Sequence, residues 1–236
     1  MFAEIPIPPL HSVRGWKSVP IEECGEGMVS LEESERVRIY PVYHNKGYKS
    51  AGEVIVVRRG VAERLNSAAH KLPKGYSIVI LDGWRPLALQ KELFEEQLAK
   101  LKAKDVPPGR LVEEAQKYVS IPSENPACPP PHSTGGAVDL TITTREDWLD
   151  AGCDFDTWTE FAGVRFYERL LEERHLSSSE IRALHTRRRI YHLLTSVGFA
   201  SYDEEWWHFD FGNQFWAKAT NRSTAIYGKV GEYRGI

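Results

Sequence analysis

The run Tyr76-Ser77-Ile78-Val79-Ile80-Leu81-Asp82 is short, apolar and rich in β-branched residues. It predicts a buried strand, one whose two faces both need covering. Gly83 ends it, and Pro86 suits the first turn of a following helix, where a missing N–H has no intrahelical partner to lose. Leu87, Gln90, Phe94, Leu98 and Leu101 continue one face of that helix. Upstream, Val57, Val61, Leu65, Ala68, Ala69 and Leu72 recur at helical spacing and predict an amphipathic helix over 53–73, stopped by Pro73 and Gly75. Arg85 is thereby placed at a strand-to-helix junction.

Residues 110–119 read as a short helix. Between Ile121 and Pro131 five prolines forbid regular hydrogen bonding, so an irregular segment delivers the chain to His132. After Gly135-Gly136, the alternation of Ala137-Val138-Asp139-Leu140-Thr141-Ile142 predicts a strand with Val138, Leu140 and Ile142 on one face and Asp139 on the other, toward a cleft or solvent. A long polar stretch follows. Ser178-Ser179-Glu180-Ile181 then opens a helix running through Ile190 and Leu194 to Val197, with Gly198 where a left-handed cap is usual. The aromatic density of Trp206-Trp207-His208-Phe209-Asp210-Phe211 favours a strand.

A chain of 236 residues with 42% hydrophobic and 27% charged residues can bury a sizeable core. No flexible linker or internal repeat divides it, so the expectation is one domain over residues 1–236, with 1–40 as an N-terminal extension packed on it. A net charge of −3 with scattered basic residues gives no footprint for nucleic acid or an anionic membrane, and the run Arg187-Arg188-Arg189 is expected on a solvated helix face. The N-terminus lacks the basic start and apolar stretch of a secretory signal, and no segment is long and apolar enough to span a membrane. Cys24, Cys128 and Cys153 cannot all pair within one chain, which fits a reducing compartment; the cytoplasm is the expected location. The sequence carries no signal for an oligomeric state.

His132, Asp139 and His208 are residue types that suit a borderline cation, and three ligands leave a fourth position open. A three-ligand zinc centre is the arrangement used for hydrolysis, because the cation lowers the pKa of a bound water to roughly 7 from near 16. Residues seven apart on a straight strand face opposite ways, so His132 and Asp139 can share a metal only if the chain bends between them, at Gly135-Gly136. Glu205 and His208 lie on opposite faces of a regular strand, so Glu205 is expected in the preceding turn, facing the water and not the metal. Taken singly, each residue also fits an ordinary place. Asp139 can satisfy backbone donors at a strand end, His208 can pack among the tryptophans, and Glu205 can join Asp203 and Glu204 in a solvated turn. Cys128 offers a softer ligand, but Pro129-Pro130-Pro131 makes a shared local site with His132 awkward.

His132-Ser133-Thr134-Gly135-Gly136-Ala137-Val138-Asp139 and Glu205-Trp206-Trp207-His208 together resemble the paired signature of the D-alanyl-D-alanine dipeptidases, His-x-x-Gly-x-Ala-x-Asp and Glu-x-x-His. This family includes the vancomycin-resistance dipeptidases. The resemblance extends through Asp82-Gly83-Trp84-Arg85-Pro86, and more loosely through Phe155-Asp156 and the Trp216 to Gly228 tail, covering most of the chain from about residue 40. It implies an α+β fold, helices around a small, mainly antiparallel sheet carrying a zinc cleft. It implies one zinc per chain on His132, Asp139 and His208, Glu205 as catalytic base and Arg85 stabilising the tetrahedral intermediate. Asp156 is implied to hold the ammonium group of a small dipeptide substrate, an unpaired carboxylate that discriminates against substrates lacking that charge. The reaction implied is hydrolysis of D-alanyl-D-alanine, or a related D,D-dipeptide, to free amino acids.

Two departures stand out. Pro130 replaces the family's usual Ser two residues before the first histidine, losing a hydroxyl and an N–H beside the substrate, and Thr134 stands where Arg is usual, an expected change of charge at the entrance. Two other readings compete. One is a D,D-carboxypeptidase or peptidoglycan peptidase on the same fold, which the missing signal argues against. The other is a non-catalytic zinc-binding module, which needs neither Glu205 nor Arg85.

Overall fold

In a computed structural model describing residues 2–145, 147–157, 159–231 and 233, the elements follow in this order. Strands β1 (Met28–Ser30) and β2 (Val37–Ile39) precede helix α1 (Val42–Asn45), strand β3 (Val56–Arg58) and helix α2 (Arg59–Lys71). Then come β4 (Ser77–Asp82), α3 (Leu87–Lys102), α4 (Leu111–Ala115) and β5 (Ala137–Thr143). The chain continues through α5 (Phe166–Glu173), α6 (Ser178–Thr195), the hairpin β6 (Ala200–Tyr202) and β7 (Glu205–Asp210), and α7 (Gln214–Ala219).

The main sheet has the order β2-β4-β5-β7-β6; β2 pairs with β4 in parallel and the other three pairings are antiparallel, while β1 and β3 form a separate antiparallel pair. This is the α+β, mainly antiparallel architecture expected. β4 is covered on both faces: Ile78 and Ile80 pack with Val61 and Leu65 of α2 and Ile190 and Leu194 of α6, whereas Val79 and Leu81 pack with Leu89, Leu93 and Phe94 of α3 and with Val42. Each such side chain contributes about 1.5–3 kcal/mol by leaving water. On β5, Val138, Leu140 and Ile142 join the α2/α6 side, so Asp139 falls on the α3 side of the sheet.

Three local expectations are corrected. The segment 53–73 is not helical throughout: Val56, Val57 and Arg58 pair with β1, and the helix starts at Arg59. The pairing of Val57 with the distant Val29 outweighs its helical spacing. The polar stretch before residue 178 contains α5, which opposes α6 through Tyr167, Ala183 and Leu184. Arg187 and Arg188 do not face solvent but are 1% and 6% exposed. Arg188 pairs with both oxygens of Glu168 at 2.7 Å, and Arg187 donates to the carbonyls of Ala151, Phe161 and Gly163, stapling the irregular segment that bears Asp156 onto α6. At its start, α6 carries a reciprocal capping box between Ser177 and Glu180.

The N-terminal residues lie along the rest of the fold: Glu22 and Cys24 donate backbone N–H groups to Ala225 and Ile226, and Ile7 donates to Glu168 at 2.8 Å. Among the described residues no helix is long and apolar enough to cross a membrane.

Candidate metal centre and active site

Three neighbouring strands and one turn build the site. Asp139 of β5 stands opposite His208 of β7 on one side and, past an irregularity at Leu81, opposite Asp82 of β4 on the other. His132 lies on a 3-10 turn, Pro131–Thr134, that ends at Gly135 in the left-handed region (φ 69). Gly136 then passes so close to β7 that a Cβ there would lie 2.3 Å from the Phe211 carbonyl oxygen. The bend required to bring His132 and Asp139 together is thus made at these two glycines.

The protonation pattern of the histidines follows from their partners. His132 Nδ1 lies 2.7 Å from the Gly83 carbonyl, which can only accept, so Nδ1 donates and Nε2 carries the lone pair. His208 Nε2 lies 3.0 Å from Asp210 Oδ2 and donates to it, which turns Nδ1 toward Asp139 and His132. His132 Nε2 and His208 Nδ1 are 3.2 Å apart, with Asp139 Oδ1 3.0 Å from the latter and Oδ2 3.4 Å from the former. Bonds of about 2.0–2.2 Å at tetrahedral angles place ligand atoms about 3.3–3.6 Å apart, near these separations, so the donors suit a small cation. All three residues are buried, and their ligand atoms lie within 4.8 Å of one another. Burial alone would raise the Asp139 pKa, but the two histidines hold it well below the usual carboxylate range; Asp210 and Asp139 likewise outweigh burial and raise that of His208.

Glu205 is the first residue of β7, paired with Tyr202, and not part of the preceding turn. Its carboxylate still reaches 4.0 Å from His208 Nδ1. The reason is a register break: β7 advances from Glu205 to Phe209 while β6 advances only from Tyr202 to Ser201, so strict alternation is lost between Glu205 and His208. Burial, reinforced by Asp139 and Asp156 and only partly offset by His208 and Arg85, pushes the Glu205 carboxyl up to about 8.

Arg85 makes a local ion pair with Asp82. Nε and Nη2 lie 3.0 and 2.7 Å from Asp82 Oδ2, Nη1 donates to Gln90 at 3.1 Å, and Nη2 is 3.6 Å from Asp139. These bonds fix the guanidinium beside the ligand set, and its charge is retained because Asp82 and Asp139 outweigh burial. Asp156, expected to be unpaired, is paired: Lys46 Nζ is 3.2 Å from Oδ2 and the Tyr43 hydroxyl 3.2 Å from Oδ1.

A cavity of about 310 Å³ opens onto this centre, lined by Arg85, His132, Asp139, Asp156, Glu205 and His208 among others. Pro130 lines it. Thr134 does not: it is 1% exposed, and its hydroxyl donates to the Pro131 carbonyl and accepts from the Gly136 N–H. Cys128 also lines the cavity but lies outside the ligand cluster. Tyr43, Gln90 and Asp210 are site residues that sequence reasoning does not single out. Asp210 had a readable signal, since two residues after His208 on a strand is the same face.

A protein-family profile described as D-ala-D-ala dipeptidase, peptidase M15, matches residues 42–225. A protein named D-alanyl-D-alanine dipeptidase from Synechocystis sp. is 28% identical over 94% of this chain and 96% of its own length. Among solved structures, the vancomycin-resistance D,D-pentapeptidase VanY in complex with Zn(II) aligns at TM-score 0.43 and 15% identity over 83% of this chain and 88% of that one. The vancomycin-resistance D,D-dipeptidase VanXYg, in complex with a D-Ala-D-Ala phosphinate analogue, aligns at 0.38 and 20% identity, over 83% of this chain and 62% of that one. On the profile match, which covers His132, Asp139, Glu205 and His208, this chain belongs to the D-Ala-D-Ala dipeptidase family of peptidases.

Proposed function

We propose that this protein hydrolyses D-alanyl-D-alanine, or a closely related D,D-dipeptide, to free amino acids with one zinc ion per chain held by His132, Asp139 and His208. The observation that carries the reading is the convergence of two imidazole nitrogens and a buried carboxylate, beside a glutamate and an arginine, in a chain of this family. Two nitrogens and one oxygen form a donor set suited to zinc, which when bound supplies Lewis acidity toward a water and a carbonyl oxygen.

The protein's own groups supply the remainder. Glu205 accepts the proton released as water adds to the scissile carbonyl carbon and returns it to the departing amine as the C–N bond breaks. Arg85, held by Asp82 and Gln90, presents a permanent positive charge to the negative charge developing on the carbonyl oxygen. Asp156, on the cavity wall, takes the free ammonium group of the substrate. Residues 1–236 act as one unit on this reading, supported by the backbone bonds from Glu22 and Cys24 to Ala225 and Ile226. A reducing, cytoplasmic location accords with three cysteines that form no disulfide.

The test is amine release from D,D-, L,D- and L,L-dipeptides and a cell-wall tripeptide, comparing zinc-loaded protein with Glu205→Ala and Arg85→Ala. Hydrolysis confined to D,D-dipeptides and lost in both variants is the expected result. Cleavage of the longer peptide would replace the dipeptidase by a carboxypeptidase, and zinc binding without turnover would leave a binding module.

A further inference from the structure

Asp156 is not a bare carboxylate on a wall. Its Oδ2 faces the Lys46 ammonium at 3.2 Å, and the same ammonium lies 5.8 Å from the ring centre of Tyr43 and 5.5 Å from that of Phe155. A carboxylate flanked by two aromatic faces is an ammonium-binding arrangement, the charge met by the carboxylate and the N–H dipoles by the rings. The rings are fixed: Tyr43 is 5% exposed and donates to Asp156 Oδ1, and Phe155 stacks edgewise on Trp207 at 5.2 Å. The lysine is not, since its side chain is 45% exposed against 20% for Asp156. It reaches Asp156 from an outer groove lined also by Phe155, Asp154 and Trp206, while Asp156 and Tyr43 face the catalytic cavity. Asp156 therefore forms the partition between a cation on one side and the substrate cavity on the other.

We propose that Lys46, from the outer groove, pairs with the Asp156 carboxylate in the substrate-free enzyme and acts as a tethered competitor that weakens binding of the dipeptide's own ammonium group at the cavity face of the same carboxylate. This rests on the reading above, in which Asp156 receives that group. A second ammonium at the same carboxylate must either displace Lys46 into water or endure its repulsion, and both lower the affinity for amine-bearing substrates. Lys46 is thus a specificity-determining residue acting on substrate binding and not on the chemical step.

The experiment measures KM and kcat of the zinc-loaded full chain for D-alanyl-D-alanine in wild type, Lys46→Met and Lys46→Arg. Alongside it, the inhibition constant is measured for N-propionyl-D-alanine, which lacks only the amine. Removing the charge should lower KM by about 3- to 10-fold, the range of a half-exposed ion pair, with kcat within about twofold. Lys46→Arg should keep the wild-type KM, and the amine-free inhibitor should bind all three proteins alike. A KM that is unchanged or raised in Lys46→Met, or an equal gain for the amine-free inhibitor, overturns this inference alone. A wild type that turns over no D,D-dipeptide overturns the functional reading and this inference with it.

Discussion

Asp139 and His208 occupy one register position of the antiparallel β5–β7 pair, with Asp139 Oδ1 3.0 Å from His208 Nδ1. Two of the three candidate ligands are therefore set by a strand pairing, the most rigid means available for holding side chains at a fixed separation. The third, His132, comes from the turn that leads into β5, and its ring is aimed by the Gly83 carbonyl at the end of β4. The second bond of each histidine is what turns its other nitrogen inward as a candidate ligand.

Asp210 is the group that turns His208 inward. It is fully buried, accepts from Nε2 at 3.0 Å and is itself held by the Asn213 side chain. Asp210→Ala is expected to weaken zinc binding about 10- to 100-fold, the usual effect of losing such an outer carboxylate. Chelator competition checks this, with circular dichroism confirming the fold; unchanged affinity would remove Asp210 from the site.

Glu205→Gln keeps the size of the side chain but cannot carry a proton. Its expected effect is a fall in kcat of about 10²- to 10⁴-fold, with zinc affinity and KM changed little. Steady-state kinetics on a D,D-dipeptide with zinc content measured in parallel tests it, and a variant retaining full kcat would assign proton transfer to another group.

The Glu168–Arg188 pair ties α5 to α6 and also holds the N-terminal segment through Ile7. Burial raises the Glu168 pKa, but the bonds from Arg188 and the Ile7 N–H outweigh it and lower the net value. A depressed folded pKa contributes stability above the unfolded carboxylate value, about 4.3, and that contribution is lost as pH falls through the folded value. Glu168→Gln should cost about 2–4 kcal/mol at pH 7, where Arg188 keeps an incomplete partner. Denaturant titrations at pH 7 and in acid should show the gap between wild type and variant closing below about pH 4.

Gly136→Ala places a methyl group against the Phe211 carbonyl, a backbone atom that cannot rotate away. The expected loss is about 3 kcal/mol or more, together with weaker zinc binding because the same bend positions His132. Thermal melts with and without zinc measure both effects. A variant as stable as wild type would show that the turn tolerates a shift of β7.

The layers around β4, the β5 strand with Asp139 on its own face, the helix through 178–195 and the identity of His132, Asp139, Glu205 and His208 as candidates were all legible in the chain, because periodicity, glycine placement and short motifs are local properties. What the tertiary structure decided depends on partners far away in sequence. Val56 and Val57 became a strand because β1 lies beside them; Arg187 and Arg188 became buried staples because carbonyls of 151–163 and Glu168 converge on α6. Glu205 faces His208 because β7 slips against β6, and Asp156 acquired Lys46 and Tyr43 because α1 packs beside its loop. A sequence determines which groups can carry charge, protons or a metal; only the packed chain determines which of them share one low-dielectric space, and that distance sets their pKa values and roles.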